Sequence, residues 1–338
     1  MSSSAANGVS GRATPASTPF SSSPTRSLVT GFAVAAWLAA ALLTALVPDQ
    51  PGSDWAYTSE LAAIFAVVAG VVAIAVVIET RFTSLRHLKA LSPWLIALAV
   101  FLTAWEITTA KYGVLPLPFF PPPQAIMEVV LDDRARLVEG IFASGRLLAS
   151  GYFLGAAIGF STGIAIGWSR LAAYWIHPLL RLIGPLPATA WLPLAFFVFP
   201  SSFSASVFLI ALATGFPVTV LTWSGVAGVN SAYYDIARTL GASPRFLVLK
   251  VAIPAAMPHV FVGLFMGLAN SFAVLVVAEM LGVKAGLGWY LQWAQGWAAY
   301  ANMYAALLIM ALVCSALITI LFRLRDRLLS WQKGLVRW

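Results

Sequence analysis

The feature that most constrains this chain is a series of eight apolar runs, each long enough or nearly long enough to cross a bilayer. A transmembrane helix needs about 20 predominantly apolar residues, because each residue adds about 1.5 Å along the helix axis. The runs therefore predict an all-α, polytopic membrane protein with about eight spans. They lie at residues 28–47, 61–79, 93–110, 146–168, 184–199, 204–227, 258–281 and 302–322.

The composition excludes several other classes of protein. Of the 338 residues, 60% are hydrophobic and 9% are charged, whereas soluble domains average about 25% charged residues. The 20 Lys and Arg residues are spread along the chain without a basic, aromatic-rich stripe, which argues against a nucleic-acid partner. A single cysteine, Cys314, excludes a disulfide framework, and the three widely separated histidines lack the spacing of a metal site.

Residues 1–27 precede the first apolar run and are rich in Ser, Ala, Thr and Pro. This composition is typical of disorder, and we expect the segment to remain as a cytoplasmic tail. A secretory signal would have a shorter apolar core nearer the start, followed by a small-residue cleavage site. The run at 28–47 is instead of spanning length, so with the next run it predicts two transmembrane helices within residues 28–80.

The distribution of Lys and Arg predicts the orientation of the spans. With the N-terminus in the cytoplasm and alternating spans, both termini are cytoplasmic and most basic residues lie inside, as the positive-inside rule requires. Three prolines interrupt the run at 184–199, but omitting this run would place the basic loop 228–255 outside. Of the 20 basic residues, the outer side then has Lys111, Arg134, Arg136, Arg146 and Lys284.

The predicted cytoplasmic loop 230–254 has the pattern of two short helices around a glycine turn. A helical stretch ending at Leu240 is followed by Gly241, a residue type that accepts the positive φ common after a helix C-terminus. Ser243 then forms an N-cap, and Pro244 occupies the first position of the next helix. Apolar side chains lie among the charges of this loop. They indicate either a helical linker on the membrane surface or a docking element for a cytoplasmic partner.

The same loop resembles the EAA loop of bacterial ABC importer permeases. The family pattern is Glu-Ala-Ala, three residues, Gly, nine residues, Ile, one residue and Leu-Pro. Four identities differ here, since Asp replaces Glu, Ile replaces Ala, Val replaces Ile and Ile replaces Leu. The pattern corresponds, with the same spacing, to Asp235, Ile236, Ala237, Gly241, Val251, Ile253 and Pro254.

Three further segments resemble one branch of this family, the nitrate, sulfonate, taurine and bicarbonate-type permeases. They are FPPPQAIMEVV at 120–130, the proline-rich PLPATAWLPLAFFVF at 185–199, and VVAEMLGVKAGLGWYL at 276–291. The resemblance covers about 90–338 and implies a six-helix type I ABC permease domain in that part of the chain. The two helices within 28–80 are additional to this core.

The resemblance implies a permease subunit that depends on a separate ATPase. The chain has no G-x-x-x-x-G-K-[ST] motif, so we expect ATP and Mg on the partner, and no cofactor or metal on this chain. The expected partners are two ATPase subunits, a periplasmic or lipid-anchored substrate-binding protein and a second copy of this chain, in the bacterial inner membrane. The residues implied in ATPase coupling are Asp235, Ala237, Arg238, Gly241, Ala242 and Ser243.

Glycines and polar residues inside the apolar runs are further candidates. Glycines recur every fourth residue in the fourth run, which places them along one helix face where a second helix can approach closely. The helix-packing candidates are Gly155, Gly159, Gly163, Gly263 and Gly267. The candidates for a small-anion pathway are Thr214, Asn270, Ser271 and Glu279, with interhelical hydrogen bonds or, for Glu279, a capping role as alternatives.

Two other functions remain open from the residues alone. An ATP-independent secondary transporter would have inverted repeats and membrane-embedded ionisable groups, for which Glu106 and Glu279 are the candidates. A membrane-embedded enzyme would need a clustered catalytic set, which the sequence does not contain. The function we expect is that of an ABC importer permease, which works by alternating access driven by the separate ATPase.

Overall fold

The computed structural model describes residues 24–51, 55–77 and 91–332. Regular structure in these ranges is helical, without a β-strand. The predicted tail 1–27 lies outside the described residues except for 24–27, which begin the first helix. The helices are α1 (Pro24–Leu46), α2 (Thr58–Val77), α3 (Ser92–Glu106), α4 (Pro123–Asp132), α5 (Arg134–Trp168), α6 (Arg170–Ile183), α7 (Leu192–Val198), α8 (Ser202–Ala227), α9 (Ser231–Thr239), α10 (Pro244–Phe246), α11 (Ile253–Leu281), α12 (Leu287–Gly296) and α13 (Tyr300–Leu328).

Seven helical segments among the described residues are long and apolar enough to cross a membrane, and a bent pair of helices makes an eighth candidate. This confirms the predicted all-α membrane fold. The bent pair consists of α6 and Ala188–Val198, which meet at 86°. The pair is longer than the proline-interrupted run predicted at 184–199, because a helix already begins at Arg170, and the chain breaks near Pro185 and Pro187. Proline lacks the N–H that a continuous helix needs.

The packing of α5 against α8 shows which way the bent pair must run. Gly151, early in α5, lies against Ile210, and Gly167, near the end of α5, lies against Val226. Early positions therefore meet early positions, and the two helices are parallel. The chain has to return along their length between the end of α5 and the start of α8. The bent pair makes this return, which supports eight crossings, the number that the charge distribution predicts.

Glycines bring both α5 and α11 close to α8. At Gly155 an added Cβ would overlap the carbonyl oxygen of Ala211 in α8. At Gly267 in α11 it would lie 3.1 Å from the carbonyl oxygen of Thr214. Small residues therefore set the distance between these helices. All five glycines of the predicted packing set lie against α8, namely Gly155, Gly159, Gly163, Gly263 and Gly267.

The chain divides into two compact units, Met1–Val114 and Leu115–Trp338. The first unit contains α1, α2 and α3, and α1 packs against both of the others. The second unit contains α4 to α13. The boundaries predicted from the sequence, 28–80 for the additional helices and 90–338 for the permease domain, stay predictions, with α3 packed inside the first unit.

A buried ionic cluster in the first unit joins the end of α1 to a π-helical turn that continues α3. Nζ of Lys111 donates to the carbonyl oxygens of Thr44 (3.0 Å) and Val47 (2.7 Å) and to Oδ1 of Asp49 (2.8 Å). It also lies 3.6 Å from Oε1 of Glu106, whose Oε2 accepts a 2.6 Å hydrogen bond from Thr44. The side chains of Lys111 and Glu106 are each 2% exposed. Burial of this cation is compensated by two carboxylates and two carbonyl groups.

Candidate coupling loop and polar sites

The loop after α8 folds as two short helices separated by a left-handed glycine. Asn230 caps α9 by accepting a 2.9 Å hydrogen bond from the amide of Ala232. Gly241 then turns the chain with a φ of +81°. Ser243 caps α10 by accepting a 3.3 Å hydrogen bond from the amide of Phe246. This is the helix, glycine turn and capped helix that the sequence predicts, because each cap satisfies an orphan amide locally.

Helix α9 presents apolar and charged side chains together. Ile236 is 60% exposed and Leu240 is 82% exposed, and the two lie one turn apart. Asp235 and Arg238 form an exposed ion pair with 3.3 Å between Oδ1 and Nη1. Exposed pairs of this kind contribute little stability, so both charges are available to a partner. Large exposed apolar side chains on a short loop helix are typical of a surface that another protein covers.

Packed side chains anchor the loop to the ends of the membrane helices. Leu247, just after α10, is 3% exposed. Tyr234 of α9 packs against a buried cluster that includes Val226 and Ala252. Its ring also meets Trp168 at the end of α5, with 5.9 Å between ring centroids. Burial raises the pKa of the Tyr234 phenol, which therefore stays neutral. The exposed helix α9 is thus in contact with the ends of α5 and α8.

Two of the four predicted pathway residues lie inside the helix packing. Thr214 and Ser271 are each 0% exposed. The Thr214 hydroxyl donates to the carbonyl of Ile210, and the Ser271 hydroxyl donates to the carbonyl of Leu268, both at 2.9 Å. Each hydroxyl is therefore satisfied within its own helix. A pathway role for these two residues stays a prediction.

Asn270, next to Ser271 in α11, has a different environment. It is exposed and lines a cavity of about 320 Å³ together with α8 and the break in the bent pair. Among the described residues its carboxamide has no hydrogen-bond partner. Of the four predicted pathway residues, it is the one that presents a free polar group to open space.

Glu279 caps the short helix α12 from the end of α11. It is 1% exposed, and its Oε2 accepts hydrogen bonds from Oγ of Ser144 (2.9 Å) and from the amide of Gly288 (2.8 Å). Oγ of Ser144 in turn accepts from the amide of Leu287 at 2.9 Å. Gly286, with a φ of +106°, lies so close to the carboxylate that a Cβ would overlap it. The amides of Leu287 and Gly288, the first two residues of α12, thereby have acceptors. This geometry corresponds to the capping role that the sequence left open for Glu279.

A second polar cluster was not predicted from the sequence. The Tyr290 hydroxyl donates to Oδ2 of Asp133 at 2.6 Å, and Nδ2 of Asn302 donates to the same oxygen at 3.1 Å. Burial and the bond to Asp133 raise the pKa of Tyr290, so its hydroxyl remains a donor. The cluster ties α12 to α13 and to the start of α5. In the part of the chain that the structure describes, no three His, Cys, Asp or Glu side chains gather as a metal site.

Comparison with known proteins identifies similar membrane components of transport systems. Residues 155–332 match the family model described as binding-protein-dependent transport system inner membrane component. A probable ABC transporter permease protein of Brucella melitensis biotype 1 is 32% identical over 192 residues, which cover 56% of this chain and 76% of that protein. The nitrate import permease protein of Synechococcus elongatus is 27% identical over 203 residues, covering 57% and 73% of the two chains. The bicarbonate transport system permease protein of the same species is 31% identical over 194 residues, covering 54% and 68%.

A similar fold occurs in a solved structure that shows inward facing conformations of the MetNI methionine ABC transporter. The matched chain has a TM-score of 0.50 and 15% sequence identity, and the match covers 58% of this chain and 97% of that one. At this identity the likeness concerns the fold alone.

Proposed function

This chain belongs to the family of binding-protein-dependent transport system inner membrane components, and from that premise we propose that it carries a small anion across the bacterial inner membrane by alternating access. It is an ABC importer permease subunit. Permeases of this family work with ATPase and substrate-binding partners.

The observation that carries the proposal is the exposed helix α9, which is anchored to the membrane helices at its base. Two ATPase subunits, with ATP and Mg bound to them, dock on the α9 helices of two permease copies. The docking surface includes Asp235, Ala237 and Arg238 on α9, followed by the turn from Gly241 to Ser243. Closure of the ATPases draws the loops together, and the packed contacts of Tyr234 and Leu247 transmit the movement to the membrane helices.

The class of substrate is supported by the named activities of the relatives. One similar protein is a nitrate import permease and another is a bicarbonate transport permease. For this chain we extend these names to a small anion of the nitrate, bicarbonate, sulfonate or taurine type. A periplasmic or lipid-anchored binding protein delivers the anion to the outer side of the permease.

The assembly that we propose contains two copies of this chain. Each chain has one coupling loop, and two ATPase subunits need two such loops. A homodimer supplies both by symmetry and encloses the pathway between its copies. ATP is hydrolysed by the partner subunits.

An affinity purification from mild detergent tests the proposal at α9. The tagged chain is expressed in its native host, and the proteins that co-purify with it are identified by mass spectrometry. We expect a P-loop ATPase with the unaltered chain, and its loss when Asp235→Ala and Gly241→Val are combined. Ser231→Glu is the matched control, because Ser231 is exposed on the same helix and an acidic residue is favourable in a first helical turn.

Two outcomes would contradict the proposal. One is a permease that purifies without an ATPase in a detergent shown to preserve a known ABC complex. The other is an ATPase that co-purifies with the double variant in the same amount as with the unaltered chain and the Ser231→Glu control. The first result would favour an ATP-independent secondary transporter, whose uptake would follow an ion gradient rather than ATP. The second result would place the ATPase contact outside the mutated positions of α9.

A further inference from the structure

A cavity lies at the middle depth of the second unit. Its volume is about 320 Å³. On α8 it is lined at positions 212–217, which are central in that 26-residue helix. The other walls come from the break between α6 and α7 and from the Asn270 side of α11. The lining residues are Ile183, Gly184, Leu186, Pro187, Ala188, Thr189, Leu212, Ala213, Phe216, Pro217, Asn270, Ala273 and Val274.

The backbone at the break between α6 and α7 is non-helical, although it lies beside the central part of the membrane helix α8. The chain bends by 86° there, and Pro185 and Pro187 donate no backbone hydrogen bonds. Non-helical backbone inside a membrane is tolerated where it is buried in protein or lines a water-filled cavity. Leu186 is 46% exposed, so this segment is not buried within the single chain. In the proposed homodimer, whose two copies enclose the pathway, the break is therefore expected to line that water-filled pathway.

Two side chains in the lining carry polar groups, Thr189 at the break and Asn270 on α11. Neither has a hydrogen-bond partner among the described residues. Thr214 and Ser271, by contrast, use their hydroxyls within their own helices. A hydroxyl and a carboxamide left open at mid-depth can replace part of the hydration shell of a passing solute.

None of the lining residues is charged. A fixed positive charge in a low-dielectric site would hold an anion tightly, whereas neutral donors allow it to enter and to leave. The desolvation cost of an ion increases with the square of its charge, so a neutral site favours a singly charged solute.

We propose that Asn270 and Thr189 form a transit site for a small, singly charged anion, which they hydrogen-bond as it passes the break. This inference rests on the proposed transport function and adds the location and chemistry of one site on the pathway. It assigns a pathway role to Thr189, which the sequence did not indicate. It also separates Asn270 from the neighbouring Ser271, which lies on the packed side of the same helix.

Single-cysteine labelling tests the site without knowledge of the natural substrate. Cys314 is the one cysteine of the chain and is replaced by serine. Into this background we would introduce Thr189→Cys, Asn270→Cys or, as a matched control, Ser271→Cys. Membranes are treated with ethylsulfonate methanethiosulfonate, an anionic reagent, or with its trimethylammonium analogue of similar size. Rates are normalised to the reaction of each reagent with a free thiol.

We expect the anionic reagent to modify Thr189→Cys and Asn270→Cys at least tenfold faster than the buried Ser271→Cys. Its normalised rate should also exceed that of the cationic reagent at both cavity positions. If either cavity cysteine reacts no faster than the control, or if the cationic reagent is equal or faster at either position, the proposal is overturned. Size-exclusion chromatography first shows that each variant is folded.

A second measurement tests whether the two side chains share one path. Asn270→Asp is combined with Thr189→Cys, which places a negative charge across the cavity from the thiol. We expect the anionic reagent to slow at least fivefold and the cationic reagent to accelerate, with Asn270→Gln leaving both rates within twofold. Unchanged rates with Asn270→Asp would overturn the shared site.

The outcome is distinguishable from a failure of the proposed function. ATPase co-purification depends on α9 and should persist in the Asn270→Asp variant. Labelling that fails while the ATPase is retained rejects the transit site alone. Labelling that succeeds while no ATPase is found rejects the importer and keeps an anion-accessible cavity.

Discussion

In the first unit, α1 and α3 are joined by buried charges, whereas in the second unit α5, α8 and α11 are joined by close backbone contact at glycines. Lipid tails are as apolar as leucine, so a membrane helix gains little from burying another apolar surface. The two units therefore use the two remaining sources of association, which are polar bonding and tight packing. The comparison implies different responses to mutation. Damage to the ionic cluster should be relieved by removing more charge, but damage to a glycine contact should not.

Lys111→Met should give the largest effect, because it removes the Lys111 cation from the buried carboxylate of Glu106 and the partly buried carboxylate of Asp49. Removing one partner of a buried ion pair costs about 3–5 kcal/mol. We expect a large fall in the midpoint of thermal unfolding, followed by tryptophan fluorescence in detergent.

Charge removal distinguishes electrostatic damage at Lys111 from lost packing. Glu106→Gln and Asp49→Asn added to Lys111→Met should recover at least half of the lost stability. A triple variant no more stable than Lys111→Met would show that lost packing, and not unpaired charge, causes the destabilisation. That result would contradict the comparison.

Gly155→Ala should give the next largest effect, because its Cβ would overlap the Ala211 carbonyl oxygen. Overpacking of this kind costs about 1–3 kcal/mol. Gly145→Ala is the matched control, since Gly145 lies in the same helix and a Cβ there would meet no atom within 4 Å. We expect Gly145→Ala to be neutral or slightly stabilising in the same thermal assay, because alanine favours a helix over glycine. Equal effects at both positions would disprove the glycine contact.

Ser144→Ala should destabilise the second unit by about 2 kcal/mol, because it removes the acceptor of the Leu287 amide and a donor to Glu279. Glu279→Gln keeps an acceptor oxygen and should cost less. Hydrogen exchange at the first amides of α12 is the direct measurement. Protection unchanged by Ser144→Ala would exclude the proposed cap.

Gly241→Ala should have the smallest effect on stability, about 1 kcal/mol, because it adds a left-handed residue in open space. Its expected consequence is on coupling, measured as the ratio of transported anion to hydrolysed ATP in reconstituted vesicles. Gly241→Asn, which tolerates a positive φ better, should restore much of that ratio. Coupling lost equally in both variants would indicate that the side-chain volume, and not the backbone angle, matters.

Local features were the part of the structure that could be predicted from the sequence. Gly241 and Ser243 act on residues within a few positions, so their turn and cap follow from local chemistry. The apolar runs likewise predicted the spans, because membrane thickness fixes their length. The glycine repeat in α5 indicated a close contact but could not name α8 as the partner.

Contacts between distant positions were not predictable from one sequence. Lys111 was placed outside by the charge count, but the structure buries it against residues more than sixty positions away. Ser144 and Thr189 carried no signal, because a serine or threonine in an apolar run has several equivalent roles. What distinguishes them is which neighbour the fold brings to them, and that depends on the helix register.

The parallel arrangement of α5 and α8 sets an order of events during synthesis. Helix α5 ends at Trp168, but its glycine face has no helix to meet until α8 is complete at Ala227. At about 5–20 residues per second, the ribosome needs roughly 3–12 s to add that length of chain. During this interval the grooved face of α5 is covered by lipid or by the insertion machinery. The nascent chain therefore passes through a stage in which this 35-residue helix lacks the neighbour of its glycine face, and biogenesis factors have access to that face during this stage.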